Sequence, residues 1–203
     1  MYSETGVLAL YDGVAPSGIG DSPLIINACL TGNVLNRGTA PHLPMEPDQI
    51  IDDALQAVEH GASMLHIHAR DGNGRPEWRP EPYARIFAGI RKHHPDVVLI
   101  ATTSGREHGT FEKRAAVLDL DGDARPDMAS LTLGSLNFPE TASVSAPETI
   151  RKLAARMKER HILPELEVFG LGMLNYGFYL RRKGMLPKNC YVNLLLGSLG
   201  TQP

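Results

Sequence analysis

The sequence predicts an α/β fold built from repeated strand-and-helix units, and two observations support this prediction. Six short apolar runs begin at intervals of roughly 30–40 residues, the length of one strand plus one helix. Between these runs, apolar residues recur at helical spacing. A chain of 203 residues is also long enough to bury a single hydrophobic core.

The six apolar runs are the predicted strands. Each is short and several are rich in Val, Ile or Leu, which is typical of strands that are buried on both faces. In chain order they are PLIINAC (23–29), SMLHIHA (63–69), VVLIATT (97–103), DMASLTL (127–133), PELEVF (164–169) and CYVNLLLG (190–197).

The segments between the strands carry the predicted helices. Apolar stripes at positions 50–58, 83–90 and 150–157 predict three helices, the first of which Gly61 closes as a C-cap. Weaker stripes predict two more, at 111–118 and 174–183. Residues 1–21 hold four glycines and no apolar period, so we predict an N-terminal extension there and the folded domain over 22–203.

Composition excludes several classes of protein. The net charge of −3 and the pI near 6.2 argue against a nucleic-acid or polybasic membrane surface. No apolar run approaches the roughly 20 residues of a membrane span, and the N-terminus does not resemble a secretory signal. Two cysteines are too few for a disulfide scaffold. We therefore expect a cytoplasmic protein that binds neither nucleic acid nor membrane.

Polar residues alternate with apolar ones on three predicted strands, and this favours a barrel over an open sheet. His66 and His68 alternate with Leu65 and Ile67, and the strands at 127–133 and 164–169 show the same pattern. In a (β/α)8 TIM barrel, inward residues near the strand ends carry the chemistry. A complete barrel takes about 250 residues. We therefore expect an incomplete barrel of about six βα units.

The motif His66-Ile67-His68 predicts a metal site. Residues i and i+2 of a strand project to the same side, so the two imidazoles can meet one divalent ion. The simpler alternative is a pair of hydrogen-bonded histidines at a strand end. A third ligand is expected, and Glu165 and Glu167 are the inward candidates within this sequence, although either could instead be a buried carboxylate paired with an arginine. Zinc is the expected ion, and manganese or iron suits the same donors.

Several motifs occur in an order that resembles a known family. The sequence resembles the β-keto acid cleavage enzymes, which include the 3-keto-5-aminohexanoate cleavage enzyme of lysine fermentation. The resemblance extends from about residue 23 to residue 197. Its motifs are NAC (27–29), HIHARD (66–71), TTSG (102–105), DMASL (127–131), GSLNF (134–138) and PELEV (164–168).

The resemblance implies a zinc-dependent TIM barrel, usually oligomeric, with acyltransferase activity. Such enzymes convert a β-keto acid and acetyl-CoA into acetoacetate and a new acyl-CoA, in a retro-Claisen type of reaction. The implied partners are therefore these two small molecules and further copies of the chain. The implied site residues are His66 and His68 as metal ligands, Thr102 and Gly105 at the substrate carboxylate, Ser130 nearby, and Glu167 near the keto group.

The sequence departs from the family pattern in two places. Family members carry a later Gly-x-Arg-x-Gly-x-Glu-Asp segment that supplies the third metal ligand and the base, which we expect beyond residue 203 of a C-terminally truncated member. Members that act on amino-bearing keto acids carry a carboxylate after the first strand, where this sequence has Gly32-Asn33-Val34-Leu35. We therefore predict a neutral or apolar substrate side chain, with Asn33 among the substrate-binding residues.

Two alternatives to this function stay open at this point. The first is another metal-dependent barrel enzyme, an aldolase or hydrolase that uses Glu167 as its third ligand. The second is a folded remnant without catalytic activity.

Overall fold

The sheet follows the predicted strand order. The computed structural model describes residues 24–138, 141–197 and 201, so the predicted extension at 1–21 lies outside it. Within the described residues, six parallel strands form one sheet in the order β1-β2-β3-β4-β7-β8, and the short strands β5 and β6 pair antiparallel. The strands are β1 (Asn27–Cys29), β2 (Met64–Ile67), β3 (Val98–Ala101), β4 (Met128–Thr132), β5 (Leu136–Asn137), β6 (Ala142–Ser143), β7 (Leu163–Val168) and β8 (Tyr191–Leu194).

This topology is that of a partial (β/α)8 barrel. Each strand of the large sheet pairs in parallel with the next one along it, and helical segments connect them. Six predicted strands and the predicted fold class are thus confirmed. The helices in the described part of the chain are α1 (Pro47–Glu59), α2 (Pro80–Arg91), α3 (Phe111–Ala115), α4 (Pro147–Glu159) and α5 (Leu171–Arg182).

Local sequence explains where these helices begin and end. A proline occupies the first turn of α1, α2 and α4, where its missing N–H costs nothing. Gly61 follows α1 with φ of 99°, a left-handed conformation that favours glycine, so the predicted cap is confirmed. The predicted helix at 111–118 becomes a 3₁₀ turn from Ala116 onward, and α5 begins three residues earlier than predicted. None of the described helices is long and apolar enough to cross a membrane.

The two faces of the sheet have different roles. On the outer face, Leu65 and Leu131 are fully buried in the main core, which the helices cover with side chains such as Phe87. On the inner face, a smaller apolar cluster contains Met64 and Met128, which are the first residues of β2 and β4, together with Ile100 of β3. The polar residues of β2, β4 and β7 therefore lie above this apolar layer, toward the carboxyl ends of the strands.

Candidate active site and metal centre

His68 lies one residue beyond the end of β2, and a neighbouring loop holds it in place. Thr31 Oγ1 donates to the carbonyl oxygen of His68 at 2.6 Å and accepts the His68 backbone N–H at 3.2 Å. Arg70 Nη2 donates to the carbonyl oxygens of Thr31 and Gly32, at 3.3 and 2.6 Å. These bonds replace the missing sheet pairing, so His68 keeps the same inward side as His66 although the strand has ended.

Glu165 is the centre of a hydrogen-bonded cluster made of Asn27, His66, Glu165 and Asn193. Its side chain has no exposure to solvent, and that of His66 has little. Glu165 Oε2 accepts the His66 Nδ1–H at 2.6 Å. Glu165 Oε1 accepts N–H groups from Asn27 at 3.0 Å and Asn193 at 3.3 Å. Three donors from described residues therefore compensate this buried carboxylate.

The two histidines differ in their electrostatic surroundings. Burial disfavours protonation of His66, but the hydrogen bond and charge of Glu165 outweigh it and raise the pKa of His66 above its ordinary value. Burial, together with the positive charges of His66, Arg70 and Arg106, holds the pKa of His68 well below its ordinary value. His68 is therefore a neutral imidazole, and its Nδ1–H donates to Asn33 Oδ1 at 2.7 Å.

The donors that remain on the two rings suit a divalent metal ion. The rings are stacked, with centroids 5.0 Å apart and planes inclined by 23°. Each Nδ1 is bound to an oxygen acceptor, so Nε2 of each ring is the nitrogen left for a ligand. A metal-bound histidine typically has this arrangement, in which the second nitrogen is fixed by an oxygen acceptor. The chemistry of this donor set therefore fits the predicted metal.

A second candidate set of metal ligands shares His66 with the histidine pair. His66, Glu165 and Glu167 each offer a ligand atom within 4.8 Å of the other two. Glu165 is already engaged by three donors, whereas Glu167 has one hydrogen-bond donor among the described residues, the Thr132 hydroxyl at 2.6 Å. Burial raises the pKa of Glu167 above its usual range, although His66 and the Thr132 bond oppose the shift. Glu167 is thus the less occupied carboxylate of β7.

A cleft of about 720 Å³ opens beside these groups. It brings together four of the predicted site residues, which are Asn33, His68, Thr102 and Glu167. His66 stacks on His68 and lies behind it, outside the lining. The other described residues of the lining are Asn27, Cys29, Val34, Ser104, Arg106, Thr132, Leu136, Phe138, Ser143, Phe169, Tyr191, Asn193 and 194–196.

Two predicted substrate contacts, Gly105 and Ser130, are not in this lining. Ser130 is buried, and its hydroxyl oxygen accepts the Thr103 backbone N–H at 2.9 Å. A Cβ on Gly105 would lie 2.8 Å from Arg114 Nη1 and 3.3 Å from the carbonyl oxygen of Val144. Close packing against Arg114 therefore explains the glycine in the structure, and Ser130 supports the loop that follows β3.

Sequence reasoning missed three residues of the site. Asn27 and Asn193 had a weak signal, since each is an amide within a mostly apolar predicted strand. Their role depends on Glu165, which is 138 and 28 residues away in the chain. Arg106 lies in the loop after β3, and no sequence pattern distinguished it from a solvated surface residue.

Comparison with known proteins gives a family match over most of the chain. A profile of the family described as beta-keto acid cleavage enzyme matches residues 23–203. The 3-oxoadipate:acetyl-CoA acetyltransferase of Cupriavidus necator is 33% identical over 181 residues, which cover 89% of this chain and 62% of that protein. The 3-keto-5-aminohexanoate cleavage enzyme of Fusobacterium nucleatum is 30% identical over 175 residues, with 86% and 63% covered.

The chain thus spans less than two thirds of the length of these curated relatives. Among solved structures, apo ObcA superposes with a TM-score of 0.69 at 24% sequence identity, over 77% of this chain and 36% of ObcA. This likeness supports the fold.

Proposed function

The chain belongs to the beta-keto acid cleavage enzyme family, and on that premise we propose that it carries the metal-binding and substrate-binding part of an acyltransferase. The proposed reaction takes a 3-keto acid and acetyl-CoA and yields acetoacetate and the acyl-CoA of the remaining acyl group. One observation carries the proposal: two stacked imidazoles each have Nδ1 bound and Nε2 left for a ligand, and one of them, His68, lines a cleft beside the Glu167 carboxylate.

The metal would be held by Nε2 of His66 and His68, and zinc is the proposed ion. When bound, a divalent ion polarises a carbonyl oxygen and stabilises negative charge that develops next to it. Glu165 and Asn33 fix the rotation and the tautomer of the two rings, so that both nitrogens are presented without reorganisation. Such preorganisation typically makes metal affinity depend on these supporting residues as well as on the ligands.

The remaining cleft residues would position the keto acid. Thr102 Oγ1 accepts the Ser104 backbone N–H at 3.1 Å, which leaves its own O–H to donate to a substrate oxygen. Glu167 lines the same cleft with Thr132 bound to one oxygen, so the other oxygen can accept or return a proton near the keto group, while the base that acts on the substrate carbon is expected beyond residue 203. The raised pKa of Glu167 suits this exchange of protons.

The names of the relatives support a 3-keto acid as the substrate. One relative is named for 3-oxoadipate and another for 3-keto-5-aminohexanoate, which share the 3-keto acid group and differ at the far end. In this chain, Val34, Leu136, Phe138 and Phe169 give the cleft an apolar part. These residues support the predicted neutral or apolar substrate side chain.

Isotope transfer in the full-length protein tests the proposal. We expect that acetyl-CoA labelled with ¹³C in the acetyl group, incubated with 3-oxohexanoate and zinc, gives labelled acetoacetate and unlabelled butyryl-CoA by mass spectrometry. This distribution follows because the acetyl group joins the two-carbon unit that carries the substrate carboxylate. Cleavage of the keto acid without any new CoA ester would instead favour an aldolase or hydrolase with Glu167 as third ligand.

The assembly and location of the full-length protein stay predictions. We propose that it is a cytoplasmic homo-oligomer. Sedimentation velocity of the full-length protein tests the oligomer, and a monomer at micromolar concentration would contradict it.

A further inference from the structure

Arg106 is a cation in the cleft without an ionic partner among the described residues. No described residue accepts a hydrogen bond from its guanidinium, and its Nε is buried without a partner. Instead the guanidinium lies over the ring of Phe138, 3.5 Å from the ring centroid. Of the described residues that line the cleft, Arg106 is the one with a permanent positive charge.

The aromatic contacts hold this cation in a defined position. Phe138 packs edge-to-face against Phe169, with centroids 6.0 Å apart, and both rings line the cleft. Stacking on an aromatic ring uses one face of a guanidinium and leaves its in-plane N–H groups available. A cation removed from part of its water without a hydrogen-bonding partner costs free energy. This cost is recovered when an anion pairs with it.

Nearby charges do not neutralise Arg106. Glu107 and Glu167 both act on it electrostatically, yet neither forms an ion pair with it in the described structure. Glu167 is instead bound to Thr132. The neighbouring Arg114 is different, because its guanidinium donates to Thr103, Val144 and Ser145 and is therefore satisfied by the fold.

We propose that Arg106 is the carboxylate-binding residue of this cleft. A guanidinium presents parallel N–H groups that match the two oxygens of a carboxylate. Thr102 and Ser104, from the same loop, line the same cleft and can donate to the same anion. This role goes beyond the contacts implied for Gly105 and Ser130, which lie outside the lining. The identity of the anion as a keto acid rests on the proposed function.

Binding of a ligand with and without its charge tests this role independently of turnover. The ligands are acetoacetate and methyl acetoacetate, titrated by calorimetry into the zinc-loaded full-length protein. We expect the wild type to bind acetoacetate about 10- to 100-fold more tightly than the ester, as charge-assisted hydrogen bonds allow. In Arg106→Gln this preference falls about 10-fold or more, and Arg106→Lys keeps part of it. Arg85→Gln, which changes the same charge at an exposed site paired with Asp48, keeps all of it.

The melting temperature of Arg106→Gln shows whether a loss of binding comes from a loss of folded protein. Because no described residue hydrogen-bonds to the Arg106 guanidinium, the melting temperature of Arg106→Gln stays within a few degrees of the wild type. An undiminished preference for acetoacetate in folded Arg106→Gln would overturn the proposal. Absence of turnover in the wild type would overturn the proposed function but would leave the binding result interpretable.

Kinetics distinguish which carboxylate Arg106 binds. The variant is compared on 3-oxohexanoate, which has one carboxylate, and on 3-oxoadipate, which has two. If kcat/KM falls equally on both acids, by a factor of about 10 or more, Arg106 binds the carboxylate that all 3-keto acids share. A fall on 3-oxoadipate alone would overturn the proposal, because Arg106 would then bind the second carboxylate, which acetoacetate lacks. If only the apparent affinity for acetyl-CoA weakens, the proposal is overturned, because Arg106 would then bind the phosphates of CoA.

Discussion

Glu165 and Glu167 lie two positions apart on β7, on the same face, and yet they belong to different environments. Glu165 is fully buried and accepts hydrogen bonds from Asn27, His66 and Asn193. Glu167 is half-buried, accepts one described donor and faces the cleft. The number of donors and the access to solvent therefore decide which carboxylate supports the fold and which one remains available for chemistry.

Arg114 and Arg106 show the same kind of difference between two arginines. Arg114 is buried with three acceptors from the fold, whereas Arg106 stacks on Phe138 and keeps its donors. Each pair combines a residue whose hydrogen bonds are satisfied within the fold, which we call closed, with a residue of the same type that faces the cleft and has unused hydrogen-bonding groups, which we call open. We expect substitutions at closed positions to lower stability and substitutions at open positions to lower activity.

The largest expected effect is the loss of activity when His68, the proposed metal ligand that lines the cleft, is replaced. His68→Ala removes one proposed ligand nitrogen, so we expect acyl transfer to fall about 1,000-fold or more, because a metal ion contributes several kcal/mol of charge stabilisation. Stability changes by about 1 kcal/mol or less, since His68 makes one side-chain hydrogen bond, to Asn33. Bound zinc by mass spectrometry and activity are measured together. His42→Ala, at an exposed loop position, is the control, and full zinc retention in His68→Ala would contradict the assignment.

The next largest effect is a difference in stability between variants of the two glutamates. Glu165→Ala leaves the buried His66 donor and the half-buried donors of Asn27 and Asn193 without their acceptor, so we expect a loss of about 3–5 kcal/mol in the free energy of unfolding. Glu167→Ala leaves one hydroxyl that can turn to water, so the loss there is below about 1 kcal/mol. Urea unfolding of both variants measures this. Equal losses in the two variants would remove the distinction between the closed and open carboxylates.

A smaller loss of stability is expected when Gly105, in the loop after β3, gains a side chain. Gly105→Ala introduces a Cβ 2.8 Å from Arg114 Nη1, and Arg114 is fixed by its own hydrogen bonds, so overpacking costs about 1–3 kcal/mol. Gly72→Ala is the matched control, because a Cβ there meets nothing within 4 Å. Thermal unfolding of the two variants gives the comparison. If Gly105→Ala is as stable as Gly72→Ala but loses substrate affinity, Gly105 contacts the substrate as the resemblance implies.

The strands and the inward histidines could be predicted from the sequence because local periodicity determines them. An apolar run between helical stripes becomes a buried parallel strand, and alternation within it assigns His66 and Glu165 to one face. The end of β2 was beyond this reasoning. The strand stops at Ile67, and it is Thr31, from a loop 37 residues earlier, that continues its pairing to His68.

Long-range pairing explains what sequence reasoning could not supply. In the sequence, both β7 glutamates alternate with apolar neighbours in the same way. Only the positions of Asn27, Asn193 and Thr132 in the fold show that Glu165 accepts more hydrogen bonds than Glu167. Gly105 shows a contact that no local pattern predicts. Its substrate contact stays a prediction of the resemblance, and the structure adds that the absence of a Cβ leaves room for the Arg114 side chain.

The position of the metal tests the account most directly. A crystal of the full-length protein with zinc, measured at the zinc absorption edge, locates the ion by its anomalous signal. We predict a peak about 2.0–2.1 Å from Nε2 of both His66 and His68, with Glu165 still bound to Nδ1 of His66. A peak coordinated by the Glu165 carboxylate, with His68 unbound, would contradict it.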